Sequence, residues 1–176
     1  VNAGQLDEYA QVLSRNTLEG LGHKLGTDGK DVFYGNNLSN YLMGADGNDT
    51  LHGRGGDDIL SGGTGDDELY GGAGKDTLIG GAGNDKLEGG NGEADTYIFA
   101  AGHGQDIVND YGSNQAHTDT LRFEGAVLAD AVFTRSDNDL VIKAFGAEDA
   151  VAVSNYFSSN SGYRYYQFAF DDKTIT

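Results

Sequence analysis

One place in a nine-residue period carries a carboxyl or carboxamide side chain in every repeat. These are Asp31, Asn40, Asp49, Asp58, Asp67, Asp76 and Asp85, then Asp95 after a one-residue insertion. Carboxylates at a short fixed interval, separated by glycine turns that can turn several carbonyl oxygens toward one point, suit the binding of hard cations. Such ions take 6–8 oxygen ligands at about 2.3–2.6 Å. The repeat is clearest in three consecutive segments. Gly62-Gly63-Thr64-Gly65-Asp66-Asp67-Glu68-Leu69-Tyr70 is followed by segments from Gly71 to Ile79 and from Gly80 to Glu88, each reading G-G-x-G-x-D-x-L-x. The register extends back through Gly53, Gly44, Gly35 and Gly26, and forward to Gly89.

The elements that position these groups follow from the same period. Glycine at the first, second and fourth places allows backbone torsions that other residues avoid. The eighth place holds Phe33, Leu42, Leu51, Leu60, Leu69, Leu78, Leu87 and Tyr97, one inward apolar group per very short strand. A fixed short period implies a solenoid. Two repeats make one coil of a flattened right-handed roll, so alternate repeats stack on the same side. One side then carries Asp31, Asp49, Asp67 and Asp85, and the other Asn40, Asp58, Asp76 and Asp95. Stacked strands lie about 4.8 Å apart. At that distance two carboxylates repel by about 1 kcal/mol in water and roughly 3–4 kcal/mol at an effective dielectric near 20. A divalent cation between them reverses the sign. One buried leucine per nine residues does not offset the ordering of nine backbones, several of them glycine. Folding of the repeats is therefore expected to require the metal.

Residues 26–98 resemble the RTX (repeats-in-toxin) family of secreted bacterial proteins, whose repeats form a calcium-loaded parallel β-roll. The resemblance implies donor sets. One loop offers the carbonyls of its second and fourth places with its Asp, and the loop two repeats on offers those of its first and third places with its Asp. One set is Gly63, Gly65 and Asp67 with Gly80, Ala82 and Asp85; a second is Arg54, Gly56 and Asp58 with Gly71, Ala73 and Asp76. A third is Ala45, Gly47 and Asp49 with Gly62, Thr64 and Asp67. Two further sets involve the ends: Gly72, Gly74 and Asp76 with Gly89, Asn91 and Asp95, and Gly81, Gly83 and Asp85 with the loop closing on Asp106. Asp31 enters the metal set as the first acid of its side. Two departures weaken the pattern: Asn40 stands where an acid is expected, and the insertion near Glu93 distorts the last turn.

The 176 residues carry a formal net charge of −17, with a sequence pI near 4.2. That argues against a nucleic-acid partner, which needs Lys and Arg gathered on one face, and against direct adsorption to anionic membranes. Cysteine is absent, so no disulfide framework or thiolate metal site exists. Proline is absent as well, which suits ladder-paired strands. No apolar run is long enough to span a bilayer. The chain opens on Val1 without a signal peptide and is expected to be a module of a longer protein.

The flanks read differently. Leu6, Tyr9, Val12 and Leu13 have helix-like spacing, so residues 1–25 are expected to form a short helical cap or linker. Residues 99–176 are expected to be a β-rich cap with strands near 120–124, 131–134, 140–145, 150–153 and 165–170. A solenoid needs such a cap to cover its last coil. Asp119-Thr120-Leu121-Arg122-Phe123, Asn138 to Ile142 and Phe168 to Thr174 resemble the flank that follows the repeats of haemolysin-type calcium-binding proteins. Tyr166, Phe168 and Phe170 alternate and are expected to form one buried face. His23, His52, His103 and His117 share no ligand spacing and read as surface or loop residues.

The fold class expected is thus all-β: a parallel β-roll over 26–98, a β-rich cap and a short N-terminal helical segment. The function expected from the resemblance is a non-catalytic module binding several calcium ions, monomeric, secreted by a bacterium through type I machinery and folding outside the cell. The alternative is a polysaccharide-binding module, for alginate, beside a carbohydrate-modifying enzyme, or an adhesin segment.

Overall fold

A computed structural model describes residues 21–91, 93–109, 117–158 and 165–176. Residues 1–20, with the expected helix, lie outside the described residues. Two eight-stranded sheets take strands alternately from the chain. The first runs β1 (Lys24–Leu25), β3 (Tyr41–Asp46), β5 (Ile59–Thr64), β7 (Thr77–Ala82), β9 (Thr96–Ala100), β11 (Thr118–Glu124), β15 (Tyr165–Phe170) and β16 (Thr174–Ile175). The second runs β2 (Val32–Tyr34), β4 (Thr50–Gly55), β6 (Glu68–Ala73), β8 (Lys86–Gly90), β10 (Gln105–Val108), β14 (Ala150–Val153), β13 (Asp139–Lys143) and β12 (Val132–Ser136). Pairing within the repeats is parallel, at a shift of 18 residues: Leu42 faces Leu60, Leu60 faces Leu78, Leu51 faces Leu69 and Leu69 faces Leu87.

Strand alternation decides what is inside. Side chains two apart share a face of a strand, so the sixth place, the eighth place and the next first-place glycine all point inward. Leu42, Leu51, Leu60, Leu69 and Leu78 are 0% exposed. Asp49, Asp58, Asp67, Asp76 and Asp85 lie in register with them and are equally buried. The carboxylates are inside because the leucines are.

Both sheets continue past residue 98. β9, β11 and β15 extend one stack in parallel, and β10 and β14 extend the other. Among the described residues, antiparallel pairing enters only at the far end, where β12, β13 and β14 form a meander and β16 folds back on β15. Larger side chains fill this end. Phe123 stacks between Phe99 and Phe170, at centroid distances of 5.4 and 5.2 Å, and Phe133 meets Phe168 edge-on at 5.7 Å. Tyr166, Phe168 and Phe170 form the buried face that their alternation suggests. Among the described residues, no helix is long and apolar enough to cross a membrane.

Leu69→Ala is expected to cost about 2–5 kcal/mol, whereas Ile59→Ala, on the outer face at 39% exposure, is expected to cost within about 0.5 kcal/mol. Denaturant unfolding of the folded chain in calcium measures both; equal losses would mean that the inner row is not the core.

Candidate metal centre

Each turn hands its main-chain donors to the coils on either side. The N–H of Asp31 donates to Asp49 Oδ1, Asp49 to Asp67 and Asp67 to Asp85, at 2.7, 2.7 and 2.9 Å. On the opposite edge Asn40 donates to Asp58, Asp58 to Asp76 and Asp76 to Asp95, at 2.7, 2.8 and 2.8 Å. The fifth place runs the other way. The N–H of Asp66 donates to Asn48, that of Asn84 to Asp66 and that of Lys75 to Asp57. One carboxylate oxygen per rung is therefore spent on the neighbouring backbone.

The other oxygen is not. Oδ2 of Asp49, Asp58, Asp67, Asp76 and Asp85 is buried and has no hydrogen-bond partner among the described residues. A buried ionised oxygen without a partner is strongly unfavourable. Burial accordingly pushes Asp58, Asp67 and Asp76 up to about 6 and Asp85 up to about 7, against an ordinary 3.8. Burial raises Asp49 too.

Carbonyl directions supply the remaining donors. Second-place carbonyls point forward along the stack: Thr27 O accepts from Asp46 N–H and Asn36 O from Gly55 N–H, each at 3.2 Å. Third-place carbonyls point back: Thr64 O accepts from Gly47 N–H and Ala82 O from Gly65 N–H, each at 2.8 Å. A Cβ on Gly65 would collide with the Gly47 carbonyl oxygen, and one on Gly74 with that of Gly56, so the fourth-place carbonyls also face forward. A Cβ on Gly62 would lie 2.6 Å from the Gly80 oxygen and one on Gly71 2.7 Å from that of Gly89, so first-place carbonyls face back. Carbonyls from two stacked turns thus face each other across the gap, and those of Gly62, Gly71, Gly80 and Gly89 lie near the same points as Oδ2 of Asp49, Asp58, Asp67 and Asp76. These residues fit calcium: a gap between loops lined by carboxylate and carbonyl oxygen is what a hard cation requires. No three His, Cys, Asp or Glu side chains converge among the described residues, because the other donors belong to the main chain.

The first-place glycines differ from the sequence expectation in their reason. Gly62, Gly71 and Gly80 have no left-handed torsion. They are glycine because a Cβ would run into Oδ2 of Asp67, Asp76 and Asp85 respectively. The left-handed conformation belongs to the second and fourth places, such as Gly63 at φ 120° and Gly65 at φ 118°. In the earlier turns Ala45 (83°) and Arg54 (81°) adopt it at a steric cost that glycine avoids.

The turns to which the sequence assigns four of the five donor sets lie in register. Ala45 pairs with Gly63, Arg54 with Gly72, Gly63 with Gly81 and Gly72 with Gly90 in register. The insertion leaves Asp95 on its rung, and the Tyr97 hydroxyl accepts the Gly89 N–H at 2.8 Å. The ends differ. Asp31 Oδ2 accepts the N–H and the hydroxyl of Thr27, and Asn40 is held by Asn36 and by the Leu21 carbonyl. Asp106 takes the next rung, accepting from Asp85 N–H at 3.0 Å, but its Oδ2 faces His103 Nδ1 at 2.7 Å. His103 lies in the loop between β9 and β10, as the surface-or-loop reading allows, but it is buried there. Two residues were missed. Asp119 accepts from Asp95 N–H at 2.9 Å, and Asp149 accepts from the N–H groups of Gly102 and Gly104. Asp119-Thr120-Leu121 does carry the D-x-L signal of the repeat.

A model of the RTX calcium-binding nonapeptide repeat (four copies) matches residues 25–60, 34–69 and 61–93. The iron-regulated protein FrpA of Neisseria meningitidis serogroup C is 43% identical over 83 residues, 46% of this chain and 7% of that protein. The match thus spans a small part of that relative. Among solved structures, the extracellular lipase LipA from Serratia marcescens aligns at a TM-score of 0.36 and 22% identity, over 76% of this chain and 37% of that one. The AlgE6R3 subunit of the Azotobacter vinelandii mannuronan C5-epimerase aligns at 0.41 and 18%, over 80% and 77%.

Two outcomes follow from the rungs. Gly62→Ala is expected to destabilise the roll strongly, because its methyl meets a carboxylate and a carbonyl. Gly29→Ala, which meets nothing within 4 Å, is the matched control; equal melting temperatures would contradict the packing. In chelator, the raised carboxyls bind more protons folded than unfolded. The folded population that remains in chelator therefore falls as pH rises from about 4 to about 7, and the residual β signal by circular dichroism is expected to be higher at pH 5 than at pH 8. Calcium needs the ionised form and is expected to reverse that order.

Proposed function

We propose that this chain, whose residues 25–93 are RTX calcium-binding nonapeptide repeats, is a calcium-dependent folding module of a larger secreted bacterial protein. It stays extended where calcium is scarce, passes type I secretion machinery in that form, and folds outside the cell. The observation that carries this reading is the row of buried Oδ2 atoms of Asp49, Asp58, Asp67, Asp76 and Asp85, without hydrogen-bond partners among the described residues. Calcium, when bound, supplies the positive charge that makes burying these carboxylates favourable.

The chain's own residues do the rest. The leucines hold each Asp inward, the glycines let neighbouring turns approach, and the carbonyls of two turns complete the oxygen set. Ligand that binds only the folded form adds stability as RT ln(1 + [L]/Kd), so several stacked sites make folding steep in calcium. The parallel continuation through β9, β11 and β15 and the antiparallel end strands cover the last coil and give the roll an end from which to order.

Carbohydrate binding draws less support. It needs exposed ring faces, and the cap aromatics Tyr166, Phe168 and Phe170 are buried. On the outer face, His52 is sandwiched between Tyr34 and Tyr70 at 4.8 and 4.7 Å, so both of its faces are taken.

Far-UV circular dichroism during a calcium titration, with magnesium as control, is expected to show a cooperative, calcium-specific change from coil to β signal. A fully folded spectrum in excess chelator would overturn the switch.

A further inference from the structure

The rungs do not all end alike. On one edge, Asp49, Asp67 and Asp85 each keep a buried Oδ2 without a partner among the described residues. Asp106 sits on the same stack and its Oδ1 accepts from Asp85 N–H just as the others do. Its Oδ2 instead meets His103 Nδ1 at 2.7 Å, with the two side chains 1% and 3% exposed. Where Asp106 is ionised, Nδ1 must carry the proton, so the imidazole is the donor. The ring is fixed by packing: Phe99 lies 5.3 Å away and Phe145 meets it edge-on at 5.8 Å.

The loop around His103 is closed on its other side as well. Asp149, the residue before β14, accepts from Gly102 N–H at 2.8 Å and from Gly104 N–H at 3.1 Å, one bond to each oxygen. The acids on this edge beyond Asp85 are thus satisfied by N–H groups of the protein. The turn at 102–104 keeps the repeat geometry, with Gly102 and Gly104 left-handed at 87° and 90° and Gly104 bridged to Gly83. The backbone that elsewhere faces the inter-turn gap is retained, but an imidazole nitrogen stands where the other rungs leave an oxygen bare.

We propose that His103 terminates the run of calcium sites on this edge: its imidazole takes the place of a cation against Asp106, so Asp106 is not a calcium ligand. The inference rests on the calcium reading above. His103 is then a positioning residue. It lets the stack pass from a metal-dependent part to a part held by protein hydrogen bonds and aromatic packing, and it fixes where the metal-dependent part stops.

The test is the number of calcium ions bound, counted by native mass spectrometry of the full chain in calcium alone. Asp67→Asn is expected to lower the count by at least one. Asp106→Asn, which keeps shape and a bond to His103, is expected to leave the count unchanged. His103→Ala bares Asp106 Oδ2 and is expected to raise the count by one. A lower count in Asp106→Asn, or an unchanged count in a folded His103→Ala variant, overturns the proposal. If His103→Ala does not fold, Asp106→Asn decides alone. A wild-type chain that binds no calcium would instead overturn the calcium reading, and this inference with it.

Discussion

Burial of like charge in register is the constraint on which the rest of this structure depends. A strand can place Asp at the sixth position and Leu at the eighth only by facing both inward. With an 18-residue coil, each acid then lies directly over the next. The protein resolves half of the difficulty itself: each of Asp58, Asp67, Asp76 and Asp85 uses one oxygen to accept the N–H of the preceding rung. The second oxygen has no such remedy in the interior of the stack. Close turns make it worse by excluding water and better by presenting carbonyls. What an isolated carboxylate finds intolerable becomes, with a cation between the turns, a continuous array of oxygen donors.

Glycine has two separate duties in this array, and they fall on different positions. From the Gly44 turn onward, second and fourth places among the described residues take the left-handed conformation; Ala45 and Arg54 show that other residues can occupy it. First places need no unusual torsion. They must be bare because the carboxylate of the same turn lies where a Cβ would be. The first-place glycine and the sixth-place acid are therefore one feature: a methyl at the former pushes the latter off its donors.

Most of this was legible in the sequence because the period encodes it. The eighth-place residues named the core, the sixth-place residues named the rungs, and coil length followed from two repeats. The parts that were not legible share a cause. Nothing in residue type separates a first-place glycine kept for torsion from one kept for space. Asp119 and Asp149 join the stacks only after long excursions from Asp95 and Asp106, so no fixed interval points to them. His103 has no partner at a metal-ligand spacing. Its significance comes from Asp106, three residues on, whose role depends on the coil before it. A strand-rich stretch after the repeats was visible from composition, but its continuity with the roll was not, since β11 and β14 reach the sheets by register rather than by repeat.

The two ends of the acid stack meet the same electrostatic problem with donors from the protein itself, and they do so differently. At the start, the acid is exposed enough to be held by its own turn, as Asp31 is by Thr27, or is exchanged for Asn40, whose amide supplies a donor. At the far end the rung stays deeply buried, and only a group that brings its own proton into an apolar setting can satisfy it. Lysine or arginine would have to bury a full charge on a long stem. Histidine donates from a compact ring that also packs against Phe99 and Phe145. That choice couples the last polar rung to the aromatic core of the cap. In a solenoid each coil touches only its neighbours, so a cap held by protein contacts offers the adjoining coil a register to join.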